Sequence, residues 1–92
     1  MMICQVVGHV WATKKESALE GLKLMVVREQ LTSQGSGGAF VAADVVGAGI
    51  GERVLVVSGS TARQALGSNT VPVDCAIVGI IDTVEVDREV AQ

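Results

Sequence analysis

Between Met2 and Thr13 the chain alternates, with Met2, Cys4, Val6, Val10 and Ala12 in one set and Gln5, His9 and Thr13 in the other. A period of two sends successive side chains to opposite faces, so this stretch predicts a half-buried strand. Lys14-Lys15-Glu16-Ser17 makes a polar turn, and Leu22 to Arg28 predicts a second strand. Thr32 to Gly38, nearly all Gly, Ser and polar, reads as a tolerant hairpin tip rather than a binding loop. A third strand over about Ala39 to Val46 is broken by Gly47-Ala48-Gly49-Ile50-Gly51, and a fourth is expected from Glu52 to Ser58. Thr61-Ala62-Arg63-Gln64 has capping-box spacing and Gly67 stands where helices usually stop. A helix of under two turns is therefore expected over Thr61 to Leu66, as a plug or corner rather than a layer. After Pro72 a last strand is predicted from Asp74 to Val86, running into the acidic stretch Glu85-Val86-Asp87-Arg88-Glu89.

Five strands and one short helix in 92 residues predict a single all-β domain, a small, partly open five-stranded barrel of the oligonucleotide/oligosaccharide-binding (OB) shape. A chain this short buries only about 60–65% of its unfolded surface, so a disulfide, a metal or self-association is the usual supplement. The strands themselves favour self-association. Both parities are apolar in Cys75-Ala76-Ile77-Val78-Gly79-Ile80-Ile81 and in Val54-Leu55-Val56-Val57, yet a small barrel has one interior. Roughly four large aliphatic side chains are left facing outward, worth at most ~6–12 kcal/mol if water is removed from them. Strands apolar on both faces are normally covered on both, and copies of the same chain are the simplest cover. Ile77, Val78, Ile80 and Ile81 are accordingly interface candidates, one parity inward and the other outward.

Composition narrows the chemistry. Apolar residues make up 49% of the chain and aromatics 2%, Trp11 and Phe40 alone, so the core must be aliphatic. Cys4 and Cys75 lie in apolar runs without a second Cys or a histidine pair nearby, which is neither a zinc nor a redox pattern. They read as small buried hydrophobes, with a disulfide between them as the alternative. Met1-Met2-Ile3-Cys4 lacks a basic leader and no apolar run approaches ~20 residues, so a cytoplasmic protein is expected. The net charge is −3 and the seven basic residues are scattered. A single-stranded nucleic-acid module of the same barrel shape would need stacking aromatics and a basic groove, and it is kept only as the alternative function. The glycines of residues 47–51 invite a phosphate-loop reading, but that loop must lead into a helix, whereas Arg53-Val54-Leu55-Val56-Val57 is another strand. A tight turn is the better reading. Ser58 and Ser60 lack a nucleophile-elbow context and the one histidine, His9, is far upstream, so no enzyme, cofactor or metal site is expected.

Gly8-His9-Val10-Trp11-Ala12-Thr13-Lys14-Lys15, Leu19 to Val27, Ala43-Asp44-Val45-Val46-Gly47-Ala48-Gly49-Ile50-Gly51-Glu52-Arg53 to Val56, Ser58-Gly59-Ser60-Thr61-Ala62-Arg63 and Pro72 to Asp82 together resemble a known family. It is the vertex proteins of carboxysomes and of ethanolamine- or propanediol-utilising bacterial microcompartments. The resemblance spans nearly the whole chain in order. Thr61 stands where a serine is common, and Trp11 is bulkier than the small residues often found there. The resemblance implies a homopentamer that fills the vertices of a shell tiled mainly by hexamers. Asp44 and Arg63 are then candidates for charges paired across a subunit boundary. Gly47, Gly49 and Gly51, with Ser58 and Ser60, are candidates for backbone near the ring axis.

Overall fold

The computed structural model describes residues 1–30, 38–67 and 72–85. Its elements are β1 (Met2–Val10), a 3-10 turn (Ser17–Leu19), β2 (Lys23–Glu29), β3 (Ala39–Asp44), β4 (Arg53–Ser58), α1 (Gly59–Ala65) and β5 (Cys75–Ile80). The strands close into a barrel in the order β1-β2-β3-β5-β4. The barrel is fully closed rather than partly open, because β3 and β5 meet in a short parallel pair, Ala43 opposite Ala76 and Asp44 opposite Ile77. All other pairs are antiparallel. The hairpin-tip expectation for Thr32–Gly38 falls almost wholly outside the described residues.

Two bulges interrupt the simple alternation. In β1, Val6 pairs with Val27 but Gly8 pairs with Val26, leaving Val7 as the extra residue. Paired residues of an antiparallel ladder share a face, and an inserted residue exchanges the faces beyond it. His9 therefore falls beside the buried Met25, and Val10 falls beside Leu24 on the outer face. Period-two counting had these two the other way round. The second bulge leaves Val78 unpaired, since Leu55 faces Gly79 while Val56 faces Ile77. Ile77 is fully buried inside the barrel, whereas Ile80, opposite the buried Val54, is 38% exposed at the barrel end. The strand thus has no single inward parity and no single outward one, contrary to the clean division expected for Ile77, Val78, Ile80 and Ile81.

The interior holds Cys4, Val6, Met25, Val27, Ala42, Ala48, Val54, Val56 and Ile77, with Phe40 and Cys75 packed against them. Part of the outer face is covered by the chain itself. Ala62 and Leu66 of the α1 region pack on Val57, Ala76 and Val78, so the outward residues of β4 and β5 are partly satisfied without a second copy. Elsewhere the outer face is left partly open, with Ile3 beside Leu55, and Val26 beside the exposed Val41.

The helix starts two residues before the expected Thr61. Ser58 is the cap residue in extended conformation, without a side-chain cap bond, and the corner is fixed instead by the Gly59 N–H, which donates to the Asp74 carbonyl at 2.8 Å. Thr61 lies exposed inside the helix and the capping box is not used. The stop is where expected: the Gly67 N–H donates to the Gln64 carbonyl at 3.0 Å. β5 ends at Ile80 rather than continuing to Val86, because β4 begins at Arg53, whose carbonyl takes the Ile81 N–H at 2.8 Å as the last rung.

Candidate assembly interface

Asp44 ends β3, and an Asp just before a glycine-rich turn is suited to bonding its own following backbone. Its buried carboxylate accepts from the N–H groups of Val46 (3.0 Å), Gly47 (3.1 Å) and Ala48 (2.7 Å). The Lys23 ammonium lies 3.3 Å from Oδ2 and also donates to the Ala48 carbonyl at 2.8 Å. Four donors thus surround one carboxylate, all from its own chain. Gly47 and Gly51, with φ of 81° and 95°, take left-handed conformations that a side chain would strain. The Gly49 N–H donates to Glu52 Oε1 at 2.7 Å, and the loop is tied to β1 through Gly51 N–H to the Val6 carbonyl, 2.8 Å, and Val6 N–H to the Glu52 carbonyl, 2.9 Å. A rigid loop results. It buries Ala48 and holds Val45, Val46 and Ile50 out in solvent, Ile50 at 66% exposure.

Ser58 and Ser60 lie at the opposite end of β4, both exposed, and Arg63 is half-buried in the last turn of α1. With about 3.3 Å per residue along a strand, roughly 17 Å of β4 separates this corner from the start of the strand that follows the glycine loop. The two groups of ring-axis candidates are therefore separate surfaces of one subunit. Asp44 and Arg63 likewise belong to different elements, β3 and α1. Val78 lies under α1, Ile77 is interior, and Ile80 and Ile81 lie at the end of β5 nearest the glycine loop. Sequence reasoning missed Lys23 and Glu52, the side chains that complete the loop. Lys23 gave no local sign of a partner 21 residues away, Asp44, whereas the Glu52 bond to the Gly49 N–H is local and lay within the glycine turn.

Cys4 and Cys75 are both free thiols, as the reading of small hydrophobes has it, and no disulfide joins them. Burial, then the charge of Glu29 and the neighbouring Cys75, pushes the Cys4 thiol up from 9.0 to about 11. The Cys75 thiol is raised too, by burial and then by Asp74. Neither is a nucleophile at neutral pH. Because the fold holds the Cys4 proton more tightly than the unfolded chain does, the associated stability is fully present below pH 9 and is lost as pH rises toward 11. Two pH units of such linkage amount to about 3 kcal/mol. Urea unfolding at about pH 8 and about pH 10.5 should show this loss in the natural chain and a smaller loss in Cys4→Ala; equal losses would contradict it.

A barrel closed by β3 and β5, a glycine loop anchored on a buried Asp, and a short helix capping β4 and β5 can be compared with known proteins. Residues 1–82 match the family described as ethanolamine utilisation protein EutN/carboxysome. The chain belongs to this family. Among its relatives, the bacterial microcompartment shell vertex protein GrpN of Rhodospirillum rubrum is 47% identical over 88 residues, covering 92% of this chain and 97% of GrpN. The structure of Gloeobacter violaceus CcmL superposes with a TM-score of 0.84 at 44% identity, over 95% of this chain and 91% of that one. The pentameric microcompartment shell protein GrpN from Rhodospirillum rubrum gives a TM-score of 0.79 at 44% identity, over 94% of this chain and all (100%) of that one.

Proposed function

We propose that this chain is a structural shell protein whose homopentamers occupy the vertices of a bacterial microcompartment in the cytoplasm, beside hexameric shell proteins, and so close the polyhedron. The observation that carries the reading is the end-to-end likeness, in sequence and in fold, to the pentameric GrpN. Physical chemistry agrees with it. A sheet of six-fold units is flat, and five-fold units give it the curvature it needs to close. A five-fold ring is built from heterologous contacts, each subunit offering one patch to a different patch on its neighbour. This subunit has several separate patches to offer: the rigid loop with Val45, Val46 and Ile50; the barrel end with Ile80 and Ile81; the corner of Ser58, Ser60 and Arg63; and the open outer strands around Val26 and Val41. The work proposed for them is binding and not catalysis, with no cofactor. A nucleic-acid role is disfavoured by the net charge of −3 and by the shortage of aromatics for stacking.

Co-expression of cognate hexameric shell proteins with and without this chain tests the reading. With it, imaging should show closed polyhedra that retain cargo; without it, tubes, sheets or shells open at the corners. Equally tight shells in its absence, with any second vertex protein also deleted, would overturn the proposal.

A further inference from the structure

Trp11 has no part in the reading above. It follows β1 at the end of the barrel that also carries Lys23 and the Asp44 loop, and it is 83% exposed. Its indole stacks on the His9 imidazole, with centroids 4.0 Å apart and planes 6° apart. The ring is thus pre-oriented, and a partner covering its free face loses little additional side-chain freedom. Exposed tryptophans with such backing are common anchors of interfaces. An open groove beside it is lined by His9, Val10, Trp11, Lys15, Leu22 and Lys23, among others, and no carboxylate lines it among the described residues. The nearby Glu16 carboxylate is turned onto the Ala18 N–H, 2.7 Å away. The groove mixes the Trp11 indole and aliphatic side chains with polar surface, and Lys15 edges it while the Lys23 ammonium is held by Asp44; it suits a partner with aliphatic groups for the indole and acidic groups for Lys15.

The chain carries such a segment. The family match ends at residue 82, and beyond it Val84, Val86, Arg88 and Val90 alternate with Glu85, Asp87 and Glu89. In extended form this sequence would put three valines and Arg88, whose guanidinium can stack on an indole face, on one edge and three carboxylates on the other. The chain leaves the barrel at the end of β5, where the Ile81 N–H meets the Arg53 carbonyl, and the glycine loop and the Trp11 end of β1 lie at that same barrel end. A ring needs two different complementary patches on every subunit, and this segment and this groove are such a pair.

Resting on the pentamer reading, we propose that residues 84–90 of one copy dock in the Trp11 groove of the adjacent copy, valines on the indole and carboxylates toward Lys15. Trp11 is the single tryptophan and the chain has no tyrosine, so intrinsic fluorescence reports this groove alone. In the full chain Trp11 should be shielded from acrylamide. Ending the chain after Glu85 should red-shift the emission and raise the quenching constant severalfold, as should the full-length double variant Asp87→Lys, Glu89→Lys. High salt should weaken the shielding of the natural chain. Mixed rings formed from full-length Trp11→Ala and the shortened chain then identify the donor. Only a neighbour's segment can cover Trp11 in them, so shielding should return. Equal quenching in natural, shortened and charge-reversed chains would overturn the docking, and mixed rings without shielding would overturn the second copy as its source. Native mass spectrometry on the same samples keeps the two readings apart: rings with unshielded Trp11 sink the docking alone, whereas absence of rings from the full-length protein sinks the pentamer beneath it.

Discussion

Asp44→Ala is expected to destabilise the chain by about 2–4 kcal/mol, mainly from backbone N–H donors that lose their buried acceptor, since the 39% exposed Lys23 side chain can be resolvated. The carboxylate is the common acceptor for three backbone N–H groups, and it lies against the Lys23 ammonium. Alanine would leave Ala48 N–H without its partner inside the core and would remove the one carboxylate that pairs with Lys23 among the described residues. Losing the loop also unseats Ala48 and the ties from Gly51 and Glu52 to Val6, so the damage reaches β1. Small domains retain net stabilities of about 5–15 kcal/mol, and a loss of this size consumes much of that margin. Asp44→Asn keeps one carbonyl acceptor and the shape, and should cost less than alanine. Replacing the exposed Asp82 by alanine should change stability by under about 0.5 kcal/mol, as surface substitutions usually do. Urea titrations of the three variants check the order. A loss below about 1 kcal/mol for Asp44→Ala would show that the loop does not depend on this carboxylate.

Much of the barrel was legible because its cause is local. β2, β3 and β4 follow from runs of β-branched and aliphatic residues bounded by Gly and polar turns, and their ends fall within two residues of the pattern. What escaped was set by contacts distant in sequence. The bulges at Val7 and Val78 come from matching strands of different length around a closed barrel, and a period-two count along one strand holds no trace of its partner's register. The helix start was misplaced because Gly59 is held by Asp74 across the β4–β5 pair, while Thr61 and Gln64 gave a local signal that the fold does not use. For the site, Asp44 was readable as a special polar residue at a strand end. The part played by Lys23 was not, since it depends on the register that sets Lys23 opposite Asp44. The covering of Val57, Ala76 and Val78 by α1 likewise required knowing which face the helix returns to, and it reduces the apolar surface left for a neighbouring copy.

The remaining large effect is assembly itself. A 92-residue barrel with a mostly aliphatic interior has a small core, and its surface still exposes Val41, Val45, Val46, Ile50 and Ile80 to some 38% or more. Covering such residues is worth roughly 25 cal/mol for each Å² of apolar surface removed from water, enough when repeated at five identical contacts to hold a ring together. A closed ring also holds each subunit by two neighbours at once, so one patch released does not free the chain. Dissociated single chains should therefore be rare at micromolar concentration. Native mass spectrometry of the purified protein at that concentration reads the copy number directly. The account predicts one dominant species of five copies of the 9.5 kDa chain; a stable monomer, or a closed ring of six, would contradict it.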